Sequence, residues 1–332
     1  MITDLSTSYM GFKLKNPIIA GSSGLTDSVD KIVELEKHGA AAVVLRSIFE
    51  EEILLEMNAK LKQMSSNGFV YPETVGDYDY YEDIEDETTY KYLKLIREVK
   101  SSVRIPVFAS INCVSSKNWT YFPKQIEDAG ADAIELNLFI LPTDFNRSAS
   151  DNEKIYFEII DEVQKQVSIP VSIKISHYFS NLGKLIQDIS KSGPKSVVLF
   201  NRFYSPDIDI DKMEINSGNV LSSPSDLAIS LRWIAIMSGR VNCDLIASTG
   251  VHQGKDVIKQ LLVGAKAVQV ASTLYKNGPQ QIRVMLEDIK SWMSSKNFQS
   301  IPEFRGKLSQ QNIDNPASYE RIQFMKYFRG YK

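Results

Sequence analysis

The chain has 332 residues, 43% hydrophobic and 24% charged, a balance that belongs to a folded globular protein and excludes disordered or collagen-like chains. With 38 basic against 41 acidic side chains, the formal net charge of −3 leaves no basic footprint for nucleic acid or for an anionic membrane surface. Only Cys113 and Cys243 are present, which excludes a disulfide framework and a four-cysteine metal site.

Strands buried on both faces read as continuous β-branched apolar runs, and eight such runs can be found. They are Pro17 to Ala20, Ala41 to Leu45, Pro106 to Ile111, Ala131 to Leu136, Pro170 to Ile175, Ser196 to Phe200, Asp244 to Ala247 and Ala267 to Val270. Most are separated by stretches of helical periodicity, such as Val29-Ile32-Val33-Leu35, Ile155-Ile159-Ile160-Val163 and Val257-Ile258-Leu261-Leu262. Three helices close on Gly39, Gly130 and Gly264, each followed by Ala, the signature of a left-handed cap starting a short αβ loop. Eight βα units predict a (β/α)₈ TIM barrel of class α/β, as one domain over residues 1–310 with a tail at 311–332. Extra length falls into two insertions. One follows strand two, from Ile48 to about Asp86, and carries Tyr78-Asp79-Tyr80-Tyr81-Glu82-Asp83; the other follows strand six, from Arg202 to Val220. A doubly wound open sheet is the competing architecture, but Gly21-Ser22-Ser23-Gly24 lacks the third Gly of its fingerprint. The opening Met1-Ile2-Thr3-Asp4-Leu5-Ser6 has no basic and apolar signal regions, and no apolar run reaches bilayer length, so the expectation is a cytoplasmic protein without membrane contact.

Barrel chemistry gathers at strand C-termini. In order these supply Ser22, Ser23 and Gly24; Arg46 and Ser47; Asn112; Asn137; Lys174; Asn201; Ser248, Thr249 and Gly250; and Ala271, Ser272 and Thr273. No carboxylate or His stands among them, which argues against a metal. Small and hydroxylic residues after strands seven and eight, Thr249-Gly250-Val251 and Ala271-Ser272-Thr273, predict a phosphate-bearing ligand held by backbone N–H groups; the alternative is that these hydroxyls only cap helices. Lys174 has three roles open to it: Schiff-base nucleophile, general base, or fixed cation beside an anion.

These residues resemble the class 1 dihydroorotate dehydrogenases and their paralogues. The resemblance runs from about Tyr9 to Leu308. It rests on Met10-Gly11-Phe12-Lys13-Leu14-Lys15-Asn16-Pro17 leading into Ser23-Gly24, on Glu135-Leu136-Asn137, on Lys174-Ile175-Ser176-His177-Tyr178-Phe179-Ser180, on Ser248-Thr249-Gly250-Val251, on Gln269-Val270-Ala271-Ser272-Thr273 and on Phe304-Arg305-Gly306-Lys307-Leu308. It implies an FMN-binding barrel that forms homodimers and oxidises dihydroorotate or a related cyclic amide, with hydride passing to flavin N5. It further implies that Ser22, Ser23 and Gly24 lie along the isoalloxazine and that Arg46, in the place of a family lysine, touches flavin and substrate. Ser47 and Asn137 would line the flavin, Lys174 would face its pyrimidine edge, and Asn201 would bond the substrate. Thr249, Gly250, Val251, Ala271, Ser272 and Thr273 would hold the phosphate. Lys174, Asn137 and Arg46 are then the expected catalytic set, and fumarate is the electron acceptor implied by the simplest relatives.

Two departures bear on the reaction. Where the family places a Cys or Ser base after Glu-Leu-Asn, this chain reads Leu138-Phe139-Ile140-Leu141-Pro142-Thr143-Asp144, and neither Phe139 nor Ile140 can accept a proton. The family's Asn-rich substrate loop is not recognisable either, with Asn67-Gly68-Phe69 to Pro72 near it. Thr143, Asp144, Ser176, His177 and Cys113 are the alternatives for a base, and the sequence selects none. Two other readings stand beside the oxidoreductase: a flavin-binding paralogue with a binding or regulatory role, and a colourless phosphate-binding barrel using Lys174 as nucleophile.

Overall fold

In a computed structural model, residues 3–53, 87–113, 122–202, 206–218 and 220–320 are described. The aromatic stretch Tyr78 to Asp83 and the segment Asn67 to Pro72 lie outside them. An antiparallel hairpin comes first, β1 (Thr7–Tyr9) on β2 (Phe12–Leu14). The barrel strands follow as β3 (Ile18–Ala20), β4 (Ala42–Val44) with its short continuation β5 (Ile48–Phe49), β6 (Val107–Cys113), β7 (Ala133–Leu138), β8 (Val171–Ile175) and β9 (Ser196–Leu199). After the hairpin β10 (Pro206–Asp209) and β11 (Glu214–Ser217), the barrel ends with β12 (Asp244–Ser248) and β13 (Ala267–Val270). All barrel pairings are parallel, and β13 closes on β3 with Gln269 opposite Ile19. All eight predicted strands are present, with bounds shifted by no more than two residues.

Alternation along each strand sorts the core into two parts. Outward residues such as Val107, Ile134, Ile173, Val197 and Val268 join the shell formed with the helices. Among these helices are α1 (Val29–Lys37), α2 (Glu87–Ser102), α3 (Phe122–Asp128), α4 (Ala149–Gln166), α5 (Leu182–Lys191), α6 (Leu227–Met237) and α7 (Gly254–Val263). A short α8 (Ser272–Asn277) and then α9 (Gln281–Ser295) follow β13. The α7 stop shows why the predicted Gly caps work: Gly264 has φ +119°, and a Cβ there would come within 2.1 Å of Ser238 Oγ.

Inward residues at the N-terminal end, including Ile19, Val44, Phe108, Ala133, Val198 and Ile246, form a second cluster with Tyr9 and Leu14 of the hairpin. Tyr9 is fully buried, edge-on to Phe108 at 5.6 Å between ring centres, and its hydroxyl donates to Ser172 Oγ at 3.2 Å. Burial pushes its phenol well above the usual range. The hairpin is therefore the floor of the barrel, and the opposite end is left as the mouth.

The insertion after strand six includes the hairpin β10–β11, in which Ile208 faces Ile215 across the register, both strongly exposed at 66% and 76%.

Candidate functional site at the barrel mouth

Moving up β6, β7 and β13, the inward residues turn from apolar to polar, and on β8 they are polar throughout. On β6 they run Phe108, Ser110, Asn112; on β7 Ala133, Glu135, Asn137; on β8 Ser172, Lys174; on β13 Ala267, Gln269. Pairing places Asn112 opposite Asn137 and Asn137 opposite Lys174, so the upper layer is one polar ring.

At its centre Lys174 Nζ donates to Gln269 Oε1 at 2.8 Å and lies 3.3 Å from Glu135 Oε1, while Gln269 Nε2 donates to Glu135 Oε2. The Lys174 and Glu135 side chains are only 10% and 2% exposed. Lys174 is therefore not an ammonium reaching for solvent: two further strands hold it, and its charge is matched by a buried carboxylate. Glu135 and Gln269 had no role assigned from sequence. Counting two residues back from Asn137 puts Glu135 on the same face, and that is the signal that could have found it.

Around this centre, Asn201 Nδ2 donates to Asn137 Oδ1 at 2.9 Å. Ser22 and Ser47 hydroxyls are 3.0 Å apart, and Ser47 reaches Ser110 Oγ at 2.7 Å. Ser23 serves its own turn, with Oγ donating to Gly21 O. Gly24 lies under Tyr275, whose hydroxyl would be 2.8 Å from a Cβ at that position. Asn112 Oδ1 is buried and has no donor among the described residues.

The loops after β12 and β13 are joined through Ser222. Thr249 and Gly250 are both left-handed, at φ +75° and +79°, and a Cβ on Gly250 would lie 2.1 Å from Leu227 N. Ser222, two residues past the second insertion, is buried between them. Its N–H donates to Ser272 Oγ at 2.9 Å, its Oγ accepts from Gly250 N at 3.3 Å, and its carbonyl accepts from Lys276 Nζ at 3.0 Å. Nothing in the local sequence marks Ser222. Thr249 Oγ1 donates to Phe200 O and Thr273 Oγ1 to His252 O, each at 3.0 Å, so both threonine protons are used within the protein. His252 is buried against Ser222 Oγ at 3.3 Å, and burial together with the charge of Lys276 lowers its basicity.

A cavity of about 240 Å³ is bounded by Ser22, Lys174, Asn201, Thr249, Gly250 and Ser272, together with Val251, Ala271 and the unpredicted Arg202, Ser222 and Tyr275. It brings together most of the residues named from sequence. Arg46 and Ser47 instead bound a larger space of about 830 Å³ between α1 and α2, and the Arg46 side chain is exposed. That larger space is walled by charged helix-surface residues such as Lys91, Lys94 and Glu98, so the smaller, strand-built cavity is the candidate site.

Ile140, at the family's base position, and the alternatives to it are spread over several elements. Ile140 packs against the outer core, and its N–H donates to the Tyr156 hydroxyl at 3.3 Å. Thr143 and Asp144 are exposed, and Asp144 is occupied with Asn146 N and Arg147. Ser176 is fully buried and accepts from Tyr178 N. His177 stacks on Tyr178 at 4.4 Å and meets the Phe200 ring edge-on at 5.7 Å, and burial holds its imidazole below the usual range, which favours the neutral form that can take a proton. The Cys113 side chain lies outside the described set.

The donor set suits a phosphorylated flavin: N–H and hydroxyl groups at the β12 and β13 loops and a cation at Lys174. The cavity is somewhat below the roughly 300–1,000 Å³ of typical ligand pockets, a size for part of such a molecule. Among the described residues no helix is long and apolar enough to cross a membrane, and no cluster of metal-ligating side chains occurs.

The family model for dihydroorotate dehydrogenase matches residues 80–293. A Thermoplasma volcanium protein described as dihydroorotate dehydrogenase B (NAD(+)), catalytic subunit, is 27% identical over 318 residues, covering 92% of this chain and 98% of the relative. A Thermoplasma acidophilum protein of the same description is 26% identical over 314 residues, covering 92% and 99%. A putative dihydroorotate dehydrogenase A (fumarate) of Aeropyrum pernix is 25% identical over 217 residues, covering 64% and 71%. Among solved structures, the Eimeria tenella enzyme of the same name in complex with ferulenol superposes with a TM-score of 0.65 at 16% identity, covering 91% of this chain and 88% of that one, a likeness of fold.

Proposed function

Because the chain belongs to the dihydroorotate dehydrogenase family, we propose that this oxidoreductase uses FMN to act on a carbon–carbon bond of dihydroorotate or a related cyclic amide. The observation that carries this reading is the convergence of Lys174, Asn201 and the loops after β12 and β13 on one cavity. FMN would supply two-electron redox chemistry there. The chain's own groups would bind and orient. Lys174, fixed by Glu135 and Gln269, presents positive charge where a reduced flavin gathers negative charge. Asn137 and Asn201, already bonded to each other, offer amide edges to a substrate ring. His177 packs on Tyr178 and on Phe200, the chain neighbour of Asn201, and is the neutral base this reading would use. Ser22, Ser23, Gly24, Ser47 and Asn137 would line the flavin; Thr249, Gly250, Val251, Ala271, Ser272 and Thr273 would carry its phosphate on backbone N–H groups. In this conformation Arg46 would reach the ligand only by turning inward.

The relatives' names point to two electron acceptors, fumarate and NAD(+), the latter in a protein described as a catalytic subunit. With two cysteines this chain has no four-cysteine iron–sulfur site, so electrons would leave to a diffusible acceptor or to a partner protein. A homodimer is part of the same reading. Phe139 and Ile140 favour a second reading, a flavin-binding paralogue that does not oxidise dihydroorotate.

Mixing the purified protein anaerobically with L-dihydroorotate while following flavin absorbance at about 450 nm separates the readings. Rapid bleaching supports the oxidoreductase on that substrate. A yellow protein that does not bleach favours another substrate or the binding role, and a colourless protein that takes up no FMN ends both.

A further inference from the structure

The groups expected to hold a phosphate are all neutral, and two of their hydroxyl protons are committed to the carbonyls of Phe200 and His252. A dianion at this end of the cavity needs positive charge. Lys174 is tied to Glu135 and Gln269, and Lys276 is exposed and bonded to Ser222 O. Arg202, just past β9, borders the same cavity as Thr249, Gly250 and Ser272, with its side chain 23% exposed. Its Nη1 donates to Val220 O, and its Nε stands 3.9 Å from Asp226 Oδ2, the edge of ion-pair range. That carboxylate oxygen is itself engaged by Ser223 N at 2.8 Å. A guanidinium carries five N–H donors, so donors remain beyond these two contacts. The Asp226 backbone is pressed onto the phosphate loop: a Cβ on Gly250 would lie 2.7 Å from Asp226 C. Arg202 therefore sits on the side of the cavity where the phosphate loop lies.

Building on the flavin reading above, we infer that Arg202 is the cationic clamp for the ligand's phosphate, a planar fork closing over the neutral cup formed by the loops after β12 and β13. The test compares FMN with riboflavin, which has the same ring and no phosphate. In R202Q the Kd for FMN rises at least tenfold, the size of one lost charge-assisted contact of about 1.5–3 kcal/mol, while riboflavin binding stays within twofold. The slope of FMN affinity against salt also becomes shallower. Should R202Q lose both flavins, R202K decides: weaker FMN with unchanged riboflavin upholds the clamp, and any other pattern overturns it. Unchanged FMN binding by R202Q also overturns it, as does a loss confined to a carboxylated substrate of the FMN-loaded protein, which would make Arg202 a substrate residue. Wild-type protein that binds neither flavin ends the flavin reading itself, a result distinct from failure of the clamp.

Discussion

Glu135→Gln isolates the buried charge at the barrel centre without changing its shape. With 3.3 Å between Lys174 Nζ and Glu135 Oε1, Coulomb's law at an effective dielectric near 20 gives an attraction of about 5 kcal/mol. Breaking one side of such a pair typically destabilises by about 3–5 kcal/mol, because the other charge is stranded. Gln keeps a carbonyl for Lys174, so the expected loss is about 3 kcal/mol. For a chain of this length, that lowers Tm by roughly 6 °C at about 2 °C per kcal/mol. Urea denaturation of the apoprotein measures it, and Lys174→Met with the double variant completes a cycle. The double variant strands no charge and is expected to recover at least about 1.5 kcal/mol relative to the sum of the singles. A Glu135→Gln loss below about 1 kcal/mol, or an additive cycle, would refute the view of the pair as a coupled buried unit.

Three further outcomes are expected. Lys174→Met, which removes the fixed cation, lowers the midpoint potential of bound FMN by about 30 mV or more, a tenfold change in the two-electron equilibrium, as read by dye-linked titration; an unchanged potential would remove Lys174 from the flavin's surroundings. Gly250→Ala places a Cβ 2.1 Å from Leu227 N at φ +79°, so it destabilises by at least about 1–3 kcal/mol and abolishes FMN uptake, whereas a variant of native Tm would contradict the loop geometry. His177 is harder to protonate folded than unfolded, so its contribution to stability is intact above the unfolded imidazole value of about 6.5 and is lost as pH falls below it. His177→Asn is expected to flatten the apparent stability curve between about pH 7 and 5 relative to wild type, as read by denaturation at each pH, and identical curves would count against burial of the ring.

Period and punctuation made the barrel legible. The apolar runs from Pro17 to Val270 and the Gly caps at Gly39, Gly130 and Gly264 correspond to observed strands and left-handed turns. Strand-end polarity was legible for the same reason, since Lys174, Asn137 and Asn201 close apolar runs. What escaped were contacts that span sequence distance. Glu135 pairs with Lys174 and Gln269 from strands 39 and 134 residues away along the chain, and only the closed register brings them together. Ser222 reaches the β12 and β13 loops from just past the second insertion, on a path that no periodicity encodes. Arg46 was assigned by strand position, which fixes its Cα, while the direction of a long side chain depends on its neighbours.

The floor of the barrel has a consequence for how the molecule is made. Tyr9 and Leu14 precede every barrel strand in the chain, yet they share a core cluster with Phe108, Val198, Ile246 and Ala267. The pairing that shuts the barrel, β13 on β3, joins Val268 to Ile18 across nearly the whole length of the chain. An emerging chain therefore carries an unsealed sheet edge and an unmatched apolar hairpin until its last strand appears, the situation in which long-range closure is slow and association between chains competes with folding.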